Sequence, residues 1–194
     1  IGGGAAPRHQ HPTNARHGLL GVGKYHCAPT PVVVHAGRIW RAFEQFAPTA
    51  PVRSFAAFVM SAPETADLLD AANWSRTNAV THRREWLDTR NGEWLEGNVV
   101  VTPEDGLVDI LRVESHPAIG ASFALPGANA KIPRFEVAAM MAVSADGRTA
   151  AFDPARDYIH FVGSEAKFTI RFDPTSGRYW SIGSKITNLQ SGYA

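Results

Sequence analysis

The sequence has a single cysteine, Cys27, and no long hydrophobic run. One cysteine allows neither an intrachain disulfide nor a cysteine-based zinc site, and we interpret Cys27 as a small buried residue. No stretch approaches the roughly eighteen continuous apolar residues of a membrane helix. An excess of charge is also missing, because the formal net charge is +1. The composition therefore favours neither nucleic acid nor a membrane as partner, and we expect no cofactor.

The composition is typical of a globular protein, with 44% hydrophobic and 19% charged residues. Residues 1–18 are rich in Gly, Pro and His without periodicity, which predicts a linker or loop, and residues 19–194 form the predicted domain. His9, His11 and His17 lack nearby carboxylates, so a solvated segment is favoured over a metal cluster. The start has neither an initiator Met nor an apolar signal segment, and we expect a piece of a longer protein.

Short apolar or alternating runs bounded by turn residues predict a series of β-hairpins. The predicted strands cover residues 30–35, 38–44, 54–61, 75–80, 94–101, 107–114, 135–143, 150–152, 158–162, 167–172 and 178–182. A helical turn is allowed within residues 63–69. No long amphipathic helix separates the strands, which excludes a parallel α/β sheet. The predicted fold class is therefore all-β.

Comparable hairpins recur about every seventy residues, from Val33 to Val100 to Ile170. Repeated antiparallel units of about that size are typical of β-propeller blades. A β-sandwich also has many short strands, but it is not expected to repeat the same hairpin order. We therefore favour a propeller over a sandwich.

Residues 29–34 with the strand at 39–44 resemble the opening blade of sialidase-like BNR-repeat propellers. Ser144-Ala145-Asp146-Gly147-Arg148-Thr149 and Ser61…Asn73-Trp74 resemble degenerate Asp-box turns of those proteins. Residues 94–101 and 167–174 resemble a bacterial branch of the family, the exo-α-sialidases or BNR glycosyl hydrolases. The resemblance runs from about Gly23 to the C-terminus.

This resemblance implies about three blades of the five or six in family members, and a secreted or periplasmic protein that acts on an oligosaccharide or polysaccharide. Sialidases carry an Arg-Ile-Pro motif at the start of the first blade, whereas the matching stretch here is Cys27-Ala28-Pro29-Thr30-Pro31. Lys131-Ile132-Pro133 is similar to the motif but falls in the second unit. The resemblance thus supports a glycan ligand better than sialic acid itself.

Strand alternation predicts that Trp94, Glu96 and Asn98 share one face of their strand. An aromatic ring, a carboxylate and an amide suit a sugar, whose ring stacks while its hydroxyls form hydrogen bonds. We interpret Glu96 as acid/base or nucleophile, Trp94 as a stacking platform and Asn98 as a binding group. The alternative is a solvated strand face.

The strand at residues 38–44 places Glu44 on one face and Arg41 on the other. Glu44 is a second candidate catalytic carboxyl, acting as general acid if burial raises its pKa. Arg41 is either a buried ion-pair partner or a guanidinium that reaches a ligand. His26, just before the first strand, is a candidate binding group or a structural histidine.

Lys167 and Arg171 lie four residues apart on a strand and are expected to face the same side. They are either an anion-binding stripe for an acidic sugar or part of a solvated face. Asp109 is expected on the opposite face from Arg112, paired across its hairpin.

The leading hypothesis is an exo-acting, sialidase-like glycosidase. The alternative is a non-catalytic glycan-binding propeller, and a third hypothesis is a module for protein contacts. A second carboxyl group with a raised pKa in the channel favours the enzyme, a shallow aromatic rim favours glycan binding, and a dry apolar channel favours protein contacts.

Overall fold

The computed structural model describes residues 25–26, 28, 30–46, 55–86, 93–114, 122–124, 131–133 and 136–185. These ranges consist mostly of β-strand, with two short 3-10 turns at Ala71–Asn73 and Arg84–Trp86. The all-β fold class is therefore confirmed. No helix in these ranges has the length or apolar character that a membrane crossing needs. The predicted linker at 1–18 and Cys27 lie outside the described residues.

Most of the described chain lies in strands, and all of them except Tyr25–His26, Ser122–Ala124 and Lys131–Pro133 fall where the sequence predicts a strand. In chain order they are β1 (Tyr25–His26), β2 (Val33–His35), β3 (Arg38–Phe46), β4 (Phe55–Pro63), β5 (Ser75–Arg76), β6 (Val80–Thr81), β7 (Glu93–Val101), β8 (Leu107–Glu114), β9 (Ser122–Ala124), β10 (Lys131–Pro133), β11 (Val137–Val143), β12 (Ala150–Ala151), β13 (Tyr158–His160), β14 (Phe168–Asp173) and β15 (Arg178–Gly183).

Two antiparallel sheets dominate the fold, and each is a meander of four strand positions. In the first sheet β1 and β2 pair with one edge of β3, β3 pairs with β4, and β5 and β6 pair with the far edge of β4. In the second sheet the order is β7, β8, β11, and then β12 and β13 side by side. β9–β10 and β14–β15 are separate two-stranded hairpins. None of these sheets closes on itself.

The second sheet is the middle layer of three. Its β8 sends Leu107 and Leu111 into a core shared with Trp40 and Val59 of the first sheet. The intervening Ile110 instead joins Phe168 and Ile170 of the β14–β15 hairpin in a smaller core on the other face. The period of two along β8 thus divides its side chains between two neighbouring layers.

Local sequence explains the tightest hairpin, between β2 and β3. Ala36 and Gly37 both have positive φ, at 49° and 70°. Two consecutive positive φ values are typical of the turns that match the twist of a two-residue hairpin. The predicted Ala36-Gly37 turn is confirmed. The turn at residues 144–149 is confirmed as well, and it joins β11 to β12.

The prediction was less accurate where side chains replace backbone pairing. The strand expected at 75–80 is interrupted between β5 and β6, because the Thr77 hydroxyl accepts the Val59 N–H and the Asn78 amide bonds to both the N–H and the C=O of Ala150. The short helix starts at Ala71, after the expected 63–69 segment. Lys131–Pro133, which is similar to a sialidase motif, is β10 and pairs with β9.

Candidate functional site

A β-bulge in β7 organises the polar centre of the molecule. Leu95 pairs with Arg112 and Asn98 with Ile110, so Glu96 and Gly97 together lie opposite one residue of β8. Glu96 has a positive φ of 42°, a conformation that is uncommon for a residue with a side chain. Beyond the bulge, each side chain of β7 points to the face opposite to the one that strict alternation from Trp94 predicts.

The expectation that Trp94, Glu96 and Asn98 share one face is therefore wrong. Trp94 points into the core shared with the first sheet. Glu96 and Asn98 point to the opposite face, where Glu96 bonds to Arg112 and Asn98 bonds to β14. The inserted residue is the physical reason, because one extra residue moves every later side chain to the other face.

Glu96 is held by two cations. Its Oε2 lies 2.9 Å from Nη1 of Arg112 and its Oε1 lies 3.8 Å from Nζ of Lys167. Arg112 also donates from Nε to the carbonyl of Glu165 at 2.7 Å. The Glu96 side chain is 4% exposed, while Lys167 is 66% exposed and marks the solvent side. Glu96 is thus a buried carboxylate with charge-assisted bonds.

Glu44 reaches the same bulge from β3. The Gly97 N–H donates to its Oε1 at 3.1 Å, and Nδ1 of His26 lies 2.9 Å from its Oε2. Burial raises the pKa of Glu44, and the charge of Glu96 raises it further, while the bonds to His26 and Gly97 oppose the shift. His26 is 40% exposed, so it links the buried carboxyl group to solvent. The structure therefore brings the predicted residues His26, Glu44 and Glu96 together.

Asp109 is the member of this group that sequence reasoning missed. It lies on β8 with no exposed surface, and neither of its carboxyl oxygens has a hydrogen-bond partner among the described residues. A Cβ on Gly97 would lie 2.3 Å from its Oδ1, so the carboxyl group packs directly on the glycine. Burial, together with the charge of Glu44, raises its pKa well above the usual value. Its ladder neighbours are Val99 and Met141, so the expected pairing across the hairpin is not found.

We call Glu44, Glu96 and Asp109 the carboxyl cluster. Glu44 and Asp109 lie between the first and second sheets and Glu96 faces the β14–β15 hairpin, with the backbone of Gly97 between them. Environments that favour the charge on one carboxyl group and oppose it on another are typical of acid–base sites. The sequence feature that could have identified Asp109 is the presence of an acidic residue inside the apolar run of residues 107–111.

Trp94 lies in an aromatic cluster and has no exposed surface. Its ring centroid is 4.6 Å from that of Phe152 and 5.6 Å from those of Trp86 and His82. Because the indole is enclosed on all sides, this placement makes Trp94 a core residue and leaves no face on which a sugar could stack.

Asn98 has a structural partner as well. Its amide donates to the Phe168 carbonyl at 3.3 Å and accepts from the Ile170 N–H at 3.2 Å. The side chain thereby completes the backbone bonding of β14 and ties the hairpin to the second sheet. Both polar ends of the amide are used.

Arg41 lies on the face of β3 that points away from the carboxyl cluster. Its Nη2 donates to the Ala28 carbonyl at 3.0 Å, and its guanidinium lies over the Phe43 ring at 5.7 Å. The prediction that Arg41 and Glu44 lie on opposite faces is confirmed, and Arg41 is therefore separated from the carboxyl cluster by the sheet.

Lys167 and Arg171 contact different parts of the molecule and do not form a single anion-binding stripe. Lys167 contacts Glu96, whereas Arg171 donates from Nη1 to the Val32 carbonyl at 3.3 Å. Arg171 thus lies beside an open groove further along β14, which separates it from the carboxyl cluster.

This groove, which we call the valine groove, has a volume of about 560 Å³. Its walls are formed by residues 32–34 of the β2 segment, 99–103 at the end of β7, 170–172 of β14, and Gly177 and Tyr179 of the β14–β15 hairpin. Phe172 and Tyr179 are 53% and 38% exposed, with ring centroids 5.0 Å apart. The Tyr179 hydroxyl donates to the Val101 carbonyl. The charged residue in this lining is Arg171.

Neither region is arranged to hold a metal ion: within the described ranges no three His, Cys, Asp or Glu side chains converge suitably. No family model matches the chain, and comparisons with curated proteins and with solved structures give no match either.

Proposed function

We propose that the chain forms three blades of a sialidase-like β-propeller and binds an extracellular glycan in the valine groove without cleaving it. The blade arrangement is supported by the three stacked layers. It is also supported by the first strand position of the second unit, β7, which contacts both β2 of the first unit and β14 of the third. Val33, Val100 and Ile170, the residues that mark the repeat in the sequence, all line the groove.

One observation carries glycan binding: the open groove has an aromatic wall, whereas the carboxyl groups are enclosed. Phe172 and Tyr179 present rings to solvent beside Arg171. Aromatic rings bind the apolar face of a sugar, and a guanidinium binds its hydroxyl or carboxylate oxygens. Glu44 and Glu96 are only 1% and 4% exposed, so a ligand in the groove does not touch them.

The test is binding of the protein to a panel of plant, algal and animal glycans, neutral and acidic. Phe172→Ala and Arg171→Gln are compared with Trp180→Ala, which removes an exposed ring that is not part of the groove lining. We expect the two groove variants to lose binding at least tenfold, which corresponds to about 1.4 kcal/mol, while the control retains it. A wild type that binds no glycan, or groove variants that bind like wild type, would refute the proposal.

A second function, glycoside hydrolysis, is favoured by the carboxyl cluster. Glu44, whose pKa is raised by burial, has the character of a general acid. Glu96, held by Arg112, has that of a nucleophile or base. His26 and Lys167 are the partners of this cluster that reach solvent. His26 lies in β1 and Lys167 directly precedes β14, whose residues also line the groove.

Released sugar distinguishes the two functions. If the wild type releases sugar and Glu96→Gln and Glu44→Gln abolish release while glycan binding persists, hydrolysis is established and non-catalytic binding is wrong. If binding occurs without release, hydrolysis is wrong. Glu64→Gln, which changes an exposed carboxyl group on the β4 turn, is the matched control.

A further inference from the structure

The contact between the first and second sheets contains two carboxyl groups that meet at one glycine. Glu44 comes from β3 and Asp109 from β8, and both approach Gly97 of β7. Glu44 accepts the Gly97 N–H, while Asp109 packs against the Gly97 Cα. Gly97 is required here, because any side chain would overlap the Asp109 carboxyl group.

The surroundings of the two carboxyl groups differ in their donors. Glu44 has the Gly97 N–H and His26, and both can stabilise a negative charge. Asp109 has no exposed surface and, in the part of the chain that the structure describes, no donor to either oxygen; its flanking core residues include Leu107 and Leu111. An ionised carboxylate without donors in such a site is strongly disfavoured, and it takes up a proton instead.

No cation of the described ranges pairs with Asp109. The one ionisable group that acts on it within the described residues is Glu44, which repels a second negative charge. Glu44 in turn is affected by His26 from β1 and by Glu96 from β7. Arg112 and Lys167 are bound to Glu96 on the opposite face of the second sheet.

We propose that Asp109 is protonated in the folded protein and that loss of the Asp109 proton loosens the joint between the two sheets. The joint is then a pH-sensitive element, which holds while Asp109 keeps its proton and loosens once the pH exceeds the folded-state pKa of Asp109. The proposal depends on neither the glycan ligand nor the reaction class.

The sign of the effect follows from proton binding. A carboxyl group whose pKa is higher in the folded state than in the unfolded state stabilises the fold fully below the unfolded value, near 4. That contribution decreases as the pH rises toward the folded-state pKa. For one proton, the unfolding equilibrium constant increases up to about tenfold per pH unit across that window.

The experiment measures urea unfolding of wild type and Asp109→Asn between pH 5 and pH 9. Asparagine keeps the shape of the protonated acid but cannot lose a proton, so we expect the variant to lack the loss of stability that wild type shows as the pH rises. Glu64→Gln, at an exposed carboxyl group, should keep the wild-type slope. An Asp109→Asn slope equal to that of wild type would overturn the proposal.

Infrared spectroscopy of wild type gives a second readout, which remains valid if Asp109→Asn fails to fold. A protonated carboxyl group without hydrogen bonds has a C=O stretch well separated from that of a carboxylate. We expect this band at neutral pH, and we expect it to vanish as the pH passes the folded-state pKa of Asp109, where the decrease in stability levels off. Its absence at neutral pH would show that Asp109 is ionised and the proposal wrong.

Discussion

The two faces of the second sheet differ in the size of their apolar core and in whether their buried polar groups are hydrogen-bonded. The face toward the first sheet joins a broad core with Trp40, Trp94 and many smaller side chains, yet it also encloses Asp109 and His82, which have polar atoms without hydrogen-bond partners. The face toward the β14–β15 hairpin has a core of four buried residues, Ile110, Ala138, Phe168 and Ile170. There the polar side chains Asn98 and Glu96 are bonded.

The difference shows how the size of an interface determines which polar groups it tolerates. A broad apolar contact gains enough free energy to keep a neutral acid and a neutral imidazole buried without partners. A small contact gains less, so it depends on polar groups whose hydrogen bonds are complete. Both faces nevertheless contain an asparagine that bonds to backbone groups across the contact. Asn78 bonds to the backbone of Ala150, and Asn98 bonds to the backbone of β14.

The largest effect should come from the aromatic centre of the broad face. Trp94→Ala removes a fully buried indole and should lower the free energy of unfolding by about 3–5 kcal/mol, measured by urea denaturation. Trp180→Ala, at a 58% exposed ring on β15, should change it by less than about 0.5 kcal/mol. Equal effects at the two positions would mean that the broad core is not the main source of stability.

Gly97→Ala tests the close packing at the bulge. The new methyl group would overlap the Asp109 carboxyl group, and we expect a loss of about 3 kcal/mol in unfolding free energy. Adding Asp109→Ala provides space for the methyl group, so the double variant should be less destabilised than the sum of the two single variants. Strict additivity would show that the strain lies elsewhere in β7.

Asn98→Ala tests the smaller face. It leaves the Phe168 carbonyl and the Ile170 N–H without their side-chain partner, and we expect a loss of about 2 kcal/mol. Hydrogen exchange should accelerate at the Ile170 amide but not at the Val59 amide, which bonds to Thr77 in the first sheet. Uniform acceleration at both amides would contradict a local role for Asn98.

The strands were predictable because their signals are local. β3, β7 and β15 follow from alternating or apolar runs, and the Ala36-Gly37 turn follows from residue types that tolerate positive φ. The facing of Glu44 and Arg41 on β3 was also correct, because β3 pairs with β4 without interruption.

The candidate site was less predictable because it depends on contacts between distant segments. The bulge at Glu96 is accompanied by the Arg112 and Lys167 partners, which lie 16 and 71 residues away in sequence. Asp109 becomes unusual only once Gly97 packs on it, and Trp94 becomes a core residue only once Phe152 covers it. Such long-range contacts have no periodic signature in a single sequence.

Replacing His82 should have the smallest effect on the free energy of unfolding. The pH dependence that His82 causes has the opposite sign to that of Asp109. Burial lowers the pKa of His82 to about 4, so the fold holds it neutral between the Trp86 and Trp94 rings. A base with a lowered folded-state pKa stabilises the fold above its unfolded value of about 6.5, and this contribution is lost as the pH falls toward 4. Between pH 6.5 and 5.5 we expect wild type to lose about 1 kcal/mol relative to His82→Phe, measured by urea unfolding at both pH values. If the difference between wild type and His82→Phe does not change with pH, His82 takes up protons in the folded state as readily as in the unfolded chain. The broad face would then tolerate a charged imidazole, and its contrast with the smaller, fully bonded face would disappear.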